Sequence, residues 1–185
     1  MGQTNGTLKP KAVEDLMRMT DFNDKELNQW YQEFQKDAPK GHLSKSEFVK
    51  MFRNLFPESD PSQFADHVFR TFDVNKDGVL NFREFIIGLS LTLKGTFDEK
   101  LFWAFKIYDV DGNGFISQSE LNEIIAAMLA LCRTKFPAML AEELILTLDK
   151  NNDGQVSWAE FRKGVNENES LTKLLKEALD CVTPA

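Results

Sequence analysis

Apolar residues recur along the chain at the three- and four-residue spacing of amphipathic helices. In the clearest early case, Leu27, Trp30, Tyr31 and Phe34 fall at i, i+3, i+4 and i+7, so they share one helix face. Residues 119–130 and 138–148 are predicted as two later helices. The pattern indicates an all-α protein built from helix–loop–helix units. Four further predicted helices also have one apolar face each, formed in chain order by Phe48, Met51, Phe52, Leu55 and Phe56; Phe64, Val68, Phe69 and Phe72; Phe82, Phe85, Ile86 and Leu89; and Leu101, Phe102, Phe105 and Tyr108.

One of the polar stretches between helices, residues 109–120, has the spacing of a calcium-binding loop. It reads DVDGNGFISQSE, with oxygen-bearing side chains at positions 1, 3, 5, 9 and 12 and a glycine at position 6. Ca²⁺ takes about six to eight oxygen ligands at flexible distances, which suits short oxygen side chains around a tight turn. The stretch is therefore predicted to be the calcium loop of an EF-hand. Its predicted ligands are the side chains of Asp109, Asp111, Asn113, Ser117 and Glu120 and the backbone carbonyl of Phe115.

The same spacing occurs in two other stretches, which begin 36 residues earlier and 40 residues later. A period of this length corresponds to one helix–loop–helix unit. All three loops have an aliphatic residue at position 8 (Leu80, Ile116 and Val156), where paired EF-hands form a short antiparallel bridge. Three calcium sites are therefore predicted. The additional ligands are Asp73, Asn75, Asp77, the carbonyl of Val79, Asn81 and Glu84, and then Asp149, Asn151, Asp153, the carbonyl of Gln155, Ser157 and Glu160.

A fourth copy of the loop, residues 36–47, keeps the frame without the ligands. The glycine at position 6 and the glutamate at position 12 are present, but positions 1, 3 and 5 are Lys36, Ala38 and Lys40. Two ammonium groups stand where carboxylates are needed, and Pro39 at position 4 restricts the turn. This first hand is predicted to bind no metal and to serve as the structural partner of the second.

The net charge of −7 is explained by the metal sites. Nine of the twenty-nine acidic residues are predicted ligands, and the remainder nearly balance the twenty-two basic residues. No basic stripe is present, which argues against nucleic acid as a partner. The chain has no apolar run of about eighteen residues and no signal-peptide pattern. Cys132 and Cys181 lack metal or redox spacing, which is typical of a reducing compartment such as the cytoplasm.

Several short segments carry a resemblance to a known family. They are Met1-Gly2 with LKP at 8–10, QWY at 29–31, FRTFD at 69–73, FREFI at 82–86 and DEKL at 98–101. With one disabled and three intact loops, the chain resembles the neuronal calcium sensors (frequenin, hippocalcin, neurocalcin, recoverin and the visinin-like proteins) over essentially its whole length. The break at 94–96 divides the four predicted hands into two lobes, residues 1–95 and 96–185.

The resemblance implies a hydrophobic groove in the first lobe that opens on calcium binding and takes an amphipathic helix of a target protein. Kinases, channels, receptors and cyclases are the implied targets. The alternative is that the same residues form an ordinary EF-hand core. The predicted groove residues are Trp30, Phe34, Phe48, Phe52, Phe72, Phe85 and Leu89.

The N-terminus resembles that of a myristoylated protein. Gly2 follows the initiator methionine, although Gly6 stands where the acylation motif has Ser or Thr, and Thr7 follows it. The family resemblance favours acylation at Gly2 and hence reversible contact of a cytoplasmic protein with a membrane surface. A solvated, charged N-terminal helix is the alternative.

Other functions and placements remain open at this point. A calcium buffer, whose hands barely move on binding, would use the same loops. A constitutive regulatory subunit of the calcineurin B kind is another alternative, but such subunits usually have four working hands, so the disabled first loop argues against it. No nucleophile motif supports an enzyme. Mg²⁺ is expected in some loops at resting calcium. A last short helix, with Leu171, Leu174, Leu175 and Ala178 on one face, either fills the groove as a displaceable plug or covers the second lobe.

Overall fold

The computed structural model describes residues 7–57, 59–132 and 141–182, and it confirms the all-α EF-hand fold. Within these ranges the protein has ten helices and four three-residue strands. They are α1 Pro10–Met19, α2 Asp24–Asp37, β1 His42–Ser44, α3 Lys45–Leu55, α4 Ser62–Phe72, β2 Val79–Asn81, α5 Phe82–Lys94, α6 Phe97–Tyr108, β3 Phe115–Ser117, α7 Gln118–Cys132, α8 Ala141–Leu148, β4 Gln155–Ser157, α9 Trp158–Glu167 and α10 Glu169–Val182.

The strands pair the hands in the predicted order. β1 pairs antiparallel with β2, with Leu43 opposite Leu80, and β3 pairs with β4, with Ile116 opposite Val156. All four of these position-8 side chains are fully buried. The bridge therefore joins the first hand to the second and the third to the fourth, so that the loops of each pair lie side by side.

Side-chain caps start the exiting helix of each hand. The residue at position 9 of the loop is the N-cap, and the glutamate at position 12 completes a reciprocal capping box with it, as in Ser157 with Glu160. At α10 the N-cap is Asn168, whose Oδ1 accepts hydrogen bonds from the N–H groups of Ser170 and Leu171. The sequence predicts Ser170 as this N-cap, which is wrong by two positions: both Asn and Ser are good N-caps, and the helix begins at Glu169.

The predicted lobe boundary falls in the turn between α5 and α6, at Gly95. We call the residues before this turn the first lobe and those after it the second lobe. Helices of both lobes pack against each other, since α4 contacts α6 and α7. The buried residues of the two halves form one continuous hydrophobic cluster. The hydrophobic core is therefore not interrupted at residue 95, and the division into two lobes at this residue stays a proposal about how the hands are grouped.

Phe72 of α4 lies at the centre of the first lobe. Its ring is 6.1 Å from that of Phe48 and packs directly on Gly88 of α5. A Cβ at position 88 would overlap this ring, which explains a glycine within a helix, where it costs about 1 kcal/mol relative to alanine.

The three tryptophans occupy three different junctions of the fold. Trp30 is half-buried beside Phe22, at the contact between α2 and the turn that follows α1. Trp103 of α6 is buried and donates a hydrogen bond from its indole N–H to Thr71 of α4, at 3.2 Å. Trp158, at position 10 of the fourth loop, packs edge-on against aromatic rings of α6.

The last helix lies on the second lobe. Leu171, Leu175 and Ala178 of α10 are buried. They line an apolar cavity of about 60 Å³ together with residues of α6 to α9 such as Tyr108 and Phe161. Of the two placements predicted for this helix, the structure shows the one in which it covers the second lobe. No helix in the described ranges is long and apolar enough to cross a membrane.

Candidate metal centres

The first predicted ligand of each intact loop is a buried aspartate at the end of an entering helix. Asp73, Asp109 and Asp149 are 8%, 1% and 9% exposed. The Oδ2 atom of each accepts a hydrogen bond from the N–H group of the glycine at position 6, at 2.9, 3.0 and 2.8 Å. The carboxylate therefore faces into the loop, toward the other predicted ligands.

Positions 3 and 5 are oriented by short turns of the loop itself. In the third loop Asp111 Oδ1 accepts from the N–H of Asn113 at 2.9 Å, and Asn113 Oδ1 accepts from the N–H of Phe115 at 2.8 Å. The second and fourth loops repeat both bonds. Asp and Asn side chains favour such turns, because they accept a hydrogen bond from the backbone N–H two residues on. The turns place successive oxygens on the inner side of the loop.

The intact loops share a second left-handed residue besides the glycine at position 6. Position 4 has a positive φ in all three: +58° at Lys76, +74° at Gly112 and +60° at Asn152. Left-handed backbone is uncommon for a residue with a side chain. Lysine at such a position is therefore a feature that the sequence pattern does not predict.

The glutamate at position 12 of the third loop is tied to both ends of the loop. Glu120 Oε1 accepts hydrogen bonds from the N–H groups of Val110 and Asp111, and Oε2 accepts from the N–H and hydroxyl of Ser117. Burial by itself would raise the pKa of Glu120, but the bonds from Ser117 and the loop N–H groups hold that pKa below its ordinary value. The carboxylate is therefore ionised at neutral pH, as a calcium ligand must be.

The third loop brings its carboxylates closest together. Oxygens of Asp109, Asp111 and Glu120 all lie within 4.8 Å of one another, a convergence found only at this loop among the described residues. Asp109 Oδ1 is buried and has no hydrogen-bond partner there. A buried carboxylate oxygen without a partner costs several kcal/mol or more unless a cation compensates it. The donor set, all oxygen and rich in carboxylate, therefore fits Ca²⁺.

The first loop closes in a different way. Its Gly41 is left-handed like the other position-6 glycines, with φ +83°, but its N–H donates to the backbone carbonyl of Ala38 at 2.9 Å instead of to a carboxylate. Ala38 is buried, and the ring of Pro39 holds φ near −65°, which excludes the left-handed conformation at position 4. The backbone as well as the ligand set therefore differs from that of the other three loops.

The predicted groove residues are mostly inside the first lobe. Phe34, Phe48, Phe52, Phe72, Phe85 and Leu89 are at most 9% exposed, and only Trp30 is half-buried. The helix α1 lies against α2 and α5, with Val13 and Leu16 buried. In this arrangement these residues are core, which was the alternative interpretation of the same positions. Gly2, the predicted acylation site, lies outside the described residues.

Three bonds from the turn after α1 and from α2 to the end of α5 were not predicted from the sequence. The N–H of Asp21 donates to Ser90 Oγ at 3.0 Å. Lys94 donates to the Asp21 carbonyl at 2.9 Å and pairs with the Glu26 carboxylate at 2.7 Å. The turn after α1 is thereby fastened to the exiting helix of the second hand. The sequence gives no signal for these pairs, because their members are about seventy residues apart.

Comparisons with known proteins agree with this geometry. A family model described as an EF-hand domain pair matches residues 38–90 and 98–165. Human recoverin is 37% identical over 182 residues, which cover 93% of this chain and 91% of recoverin. Guanylyl cyclase-activating protein 1 of Gallus gallus is 42% identical over 181 residues, covering 95% and 86% of the two chains. Visinin of the same organism is 36% identical over 187 residues, covering 95% and 97%.

Proposed function

Since the chain belongs to the neuronal calcium sensor family of EF-hand proteins, we propose that it binds Ca²⁺ at three loops and then exposes a groove to target proteins. Calcium binding and a sensor role follow from the family, whose members are calcium sensors and not enzymes. The observation that carries the proposal is the third loop, where three carboxylates converge around the unpartnered Oδ1 of Asp109.

Three sites rather than four are proposed because of the backbone at position 4. Lys76, Gly112 and Asn152 all have the left-handed conformation that Pro39 cannot adopt. Each of the three loops also contributes three carboxylates, whereas the first contributes only Glu47 at a ligand position. The third loop has no basic residue among its twelve, so we expect it to bind most tightly, within the sensor range of about 10⁻⁷–10⁻⁵ M.

Mg²⁺ is proposed to occupy some of these loops at resting calcium. It is also a hard cation that takes oxygen ligands, but it demands near-octahedral geometry and gives up water reluctantly. Its binding should therefore be much weaker than that of Ca²⁺. Calorimetric titration with Mg²⁺ and then with Ca²⁺ tests this step: an unchanged Ca²⁺ affinity in millimolar Mg²⁺ would count against it.

The proposed response is movement of α5 away from α4, which would uncover the aromatic residues that are now core. Phe72 and Phe85 lie on these two helices, and α1 covers the lobe from outside. Sensor hands open in this way, whereas buffer hands barely move. An apolar fluorescent dye distinguishes the two, and we expect its emission to rise several-fold with Ca²⁺ but not with Mg²⁺. Full occupancy of three sites with no change in dye emission would favour a buffer.

The proposed partner is an amphipathic helix of a membrane-associated kinase, cyclase, channel or receptor. One of the relatives is, by its name, an activator of guanylyl cyclase. Groove recognition predicts that capture of such a target requires calcium. Pull-down with Ca²⁺ and with a chelator separates this from a constitutive subunit, which would be recovered equally in both conditions.

Reversible membrane association is proposed through an acyl group on Gly2. A single myristoyl chain gives only marginal binding, so a second contribution is needed, and Lys9, Lys11 and Arg18 precede or lie on the nearby α1. A cytoplasmic protein would then bind the membrane reversibly instead of being anchored there permanently. Intact mass of protein produced with an N-myristoyltransferase, compared with its Gly2→Ala variant, tests acylation. A wild-type mass without an added acyl group would contradict it.

A further inference from the structure

The side chain of Arg70, in the last turn of α4, reaches across the lobe boundary to the third loop. Its Nη1 donates to the backbone carbonyl of Asp109 at 2.7 Å, and its Nη2 donates to the carbonyls of Ile107 at 2.7 Å and Lys106 at 3.4 Å. The carbonyls of Lys106 and Ile107 belong to the last turn of α6, the entering helix of the third hand, and Asp109 is its C-cap. Asp109 is also the first predicted ligand of that hand, so the guanidinium is fixed directly to the metal loop.

These carbonyls have no helical partners of their own. The N–H groups of Val110 and Asp111, which could continue α6, instead donate to the carboxylate of Glu120. The last carbonyls of a helix need partners from outside, and a cationic side chain is a favourable one. Arg70 therefore completes the end of α6 in the same place where Glu120 closes the loop.

The next two residues of α4 also contact α6. Thr71 accepts the indole N–H of Trp103 at 3.2 Å, and the ring of Phe72 is 6.4 Å from that of Trp103. Phe72 is in turn held against Gly88 of α5. Asp73, the first ligand of the second loop, follows immediately. The last turn of α4 therefore contacts the start of the third loop through Arg70 and leads directly into the second loop at Asp73.

We propose that Arg70 is a positioning residue that couples calcium binding at the second and third loops across the lobe boundary. A shift of α4 when the second loop binds Ca²⁺ would move the end of α6, and the reverse would follow by thermodynamic linkage. The inference rests on the proposed calcium function of both loops. It adds a physical connection between hands that belong to different pairs and share no strand contact.

A pure charge effect makes the opposite prediction. The guanidinium lies near the carboxylates of the third loop, so its charge alone would repel Ca²⁺, and its removal would tighten the site. Positioning of the α6 carbonyls predicts that removal weakens the third site. Arg70→Met removes both charge and donors, whereas Arg70→Lys keeps the charge and loses the two-pronged geometry.

The test uses the full-length protein with the fourth site removed by Glu160→Gln, so that the second and third sites can be measured by calorimetry. Adding Glu84→Gln or Glu120→Gln isolates the third or second site. The ratio between joint and isolated affinities gives the coupling factor, which we expect to be about 5-fold or more, within the range usual for coupled sites. With Arg70→Met we expect the factor to fall to about 1 and the isolated third site to weaken several-fold, with Arg70→Lys in between.

Arg53→Met is the matched control, because Arg53 is bonded to Ser62 within the first lobe and, in the described part of the chain, makes no bond to α6. It should leave the coupling factor unchanged. Far-UV circular dichroism checks that each variant is folded, and Arg70→Lys carries the test if the methionine variant does not fold. An unchanged coupling factor, or a tighter third site in Arg70→Met, would overturn the inference. Failure of the Glu160→Gln protein to bind two ions would instead overturn the proposed sites themselves.

Discussion

Replacement of Glu120 by glutamine is expected to abolish calcium binding at the third loop. The position-12 glutamate supplies two carboxylate oxygens in an EF-hand, and an amide supplies one neutral oxygen. In either orientation of the amide, its NH₂ group would also face N–H groups that now donate to the carboxylate, those of Val110 and Asp111 or that of Ser117. The affinity of this loop should fall by roughly 1,000-fold or more, from the tight end of the sensor range to about 10⁻⁴ M or weaker. Calorimetry should then count two ions instead of three.

Glu123→Gln is the matched control for this change. Glu123 lies one helical turn further along α7, is largely exposed, and pairs with His67 at 3.3 Å instead of with the loop. Its replacement should leave three sites with unchanged affinities. Three sites of wild-type affinity in Glu120→Gln would show that the third loop does not use this carboxylate.

A fourth site is expected only when the backbone of the first loop is changed together with its ligands. Lys36→Asp, Ala38→Asp and Lys40→Asp restore the carboxylates, but Pro39 still excludes the left-handed conformation that position 4 has in the other loops. This triple variant should bind three ions. Adding Pro39→Gly should raise the stoichiometry to four, with an affinity for the new site of about 10⁻⁵ M, because Ser44 and Glu47 already provide positions 9 and 12.

The opposite outcome is equally informative. A fourth ion in the triple variant that retains Pro39 would show that charge alone, and not backbone conformation, keeps metal out of the first loop. Pro39→Gly in the otherwise unchanged chain is the control. It should bind three ions, since Lys36 and Lys40 remain where carboxylates are required.

The predicted ligands were accessible from sequence because they depend on short-range spacing, and the pairing of the hands was accessible because the same loop repeats along the chain. Each loop is twelve consecutive residues, so Asp109 and Glu120 can be assigned by counting. The aliphatic residue at position 8 predicted the bridge between Leu43 and Leu80, which the structure confirms. The ligand assignments stay predictions until an ion is measured at each loop.

Contacts between distant parts of the chain were not accessible in this way. The leucine face of α10 predicts that this helix packs against another part of the protein, but it does not indicate whether that part is the first or the second lobe. Arg70 is 39 residues from Asp109, and nothing in the spacing pairs them. Likewise, an aromatic residue such as Phe34 has the same helical pattern whether it lies in a closed core or lines an open groove.

The three tryptophans give the molecule its own optical probes. Indole emission depends on the polarity around the ring, and the three rings sit at three different junctions: beside Phe22 next to α1, against Thr71 between the lobes, and in the fourth loop. Variants that keep a single tryptophan and replace the others by phenylalanine would therefore report separately on the region next to α1, the contact between α4 and α6, and the fourth hand. One calcium titration followed by emission could thus give the order in which these regions respond, without an attached label.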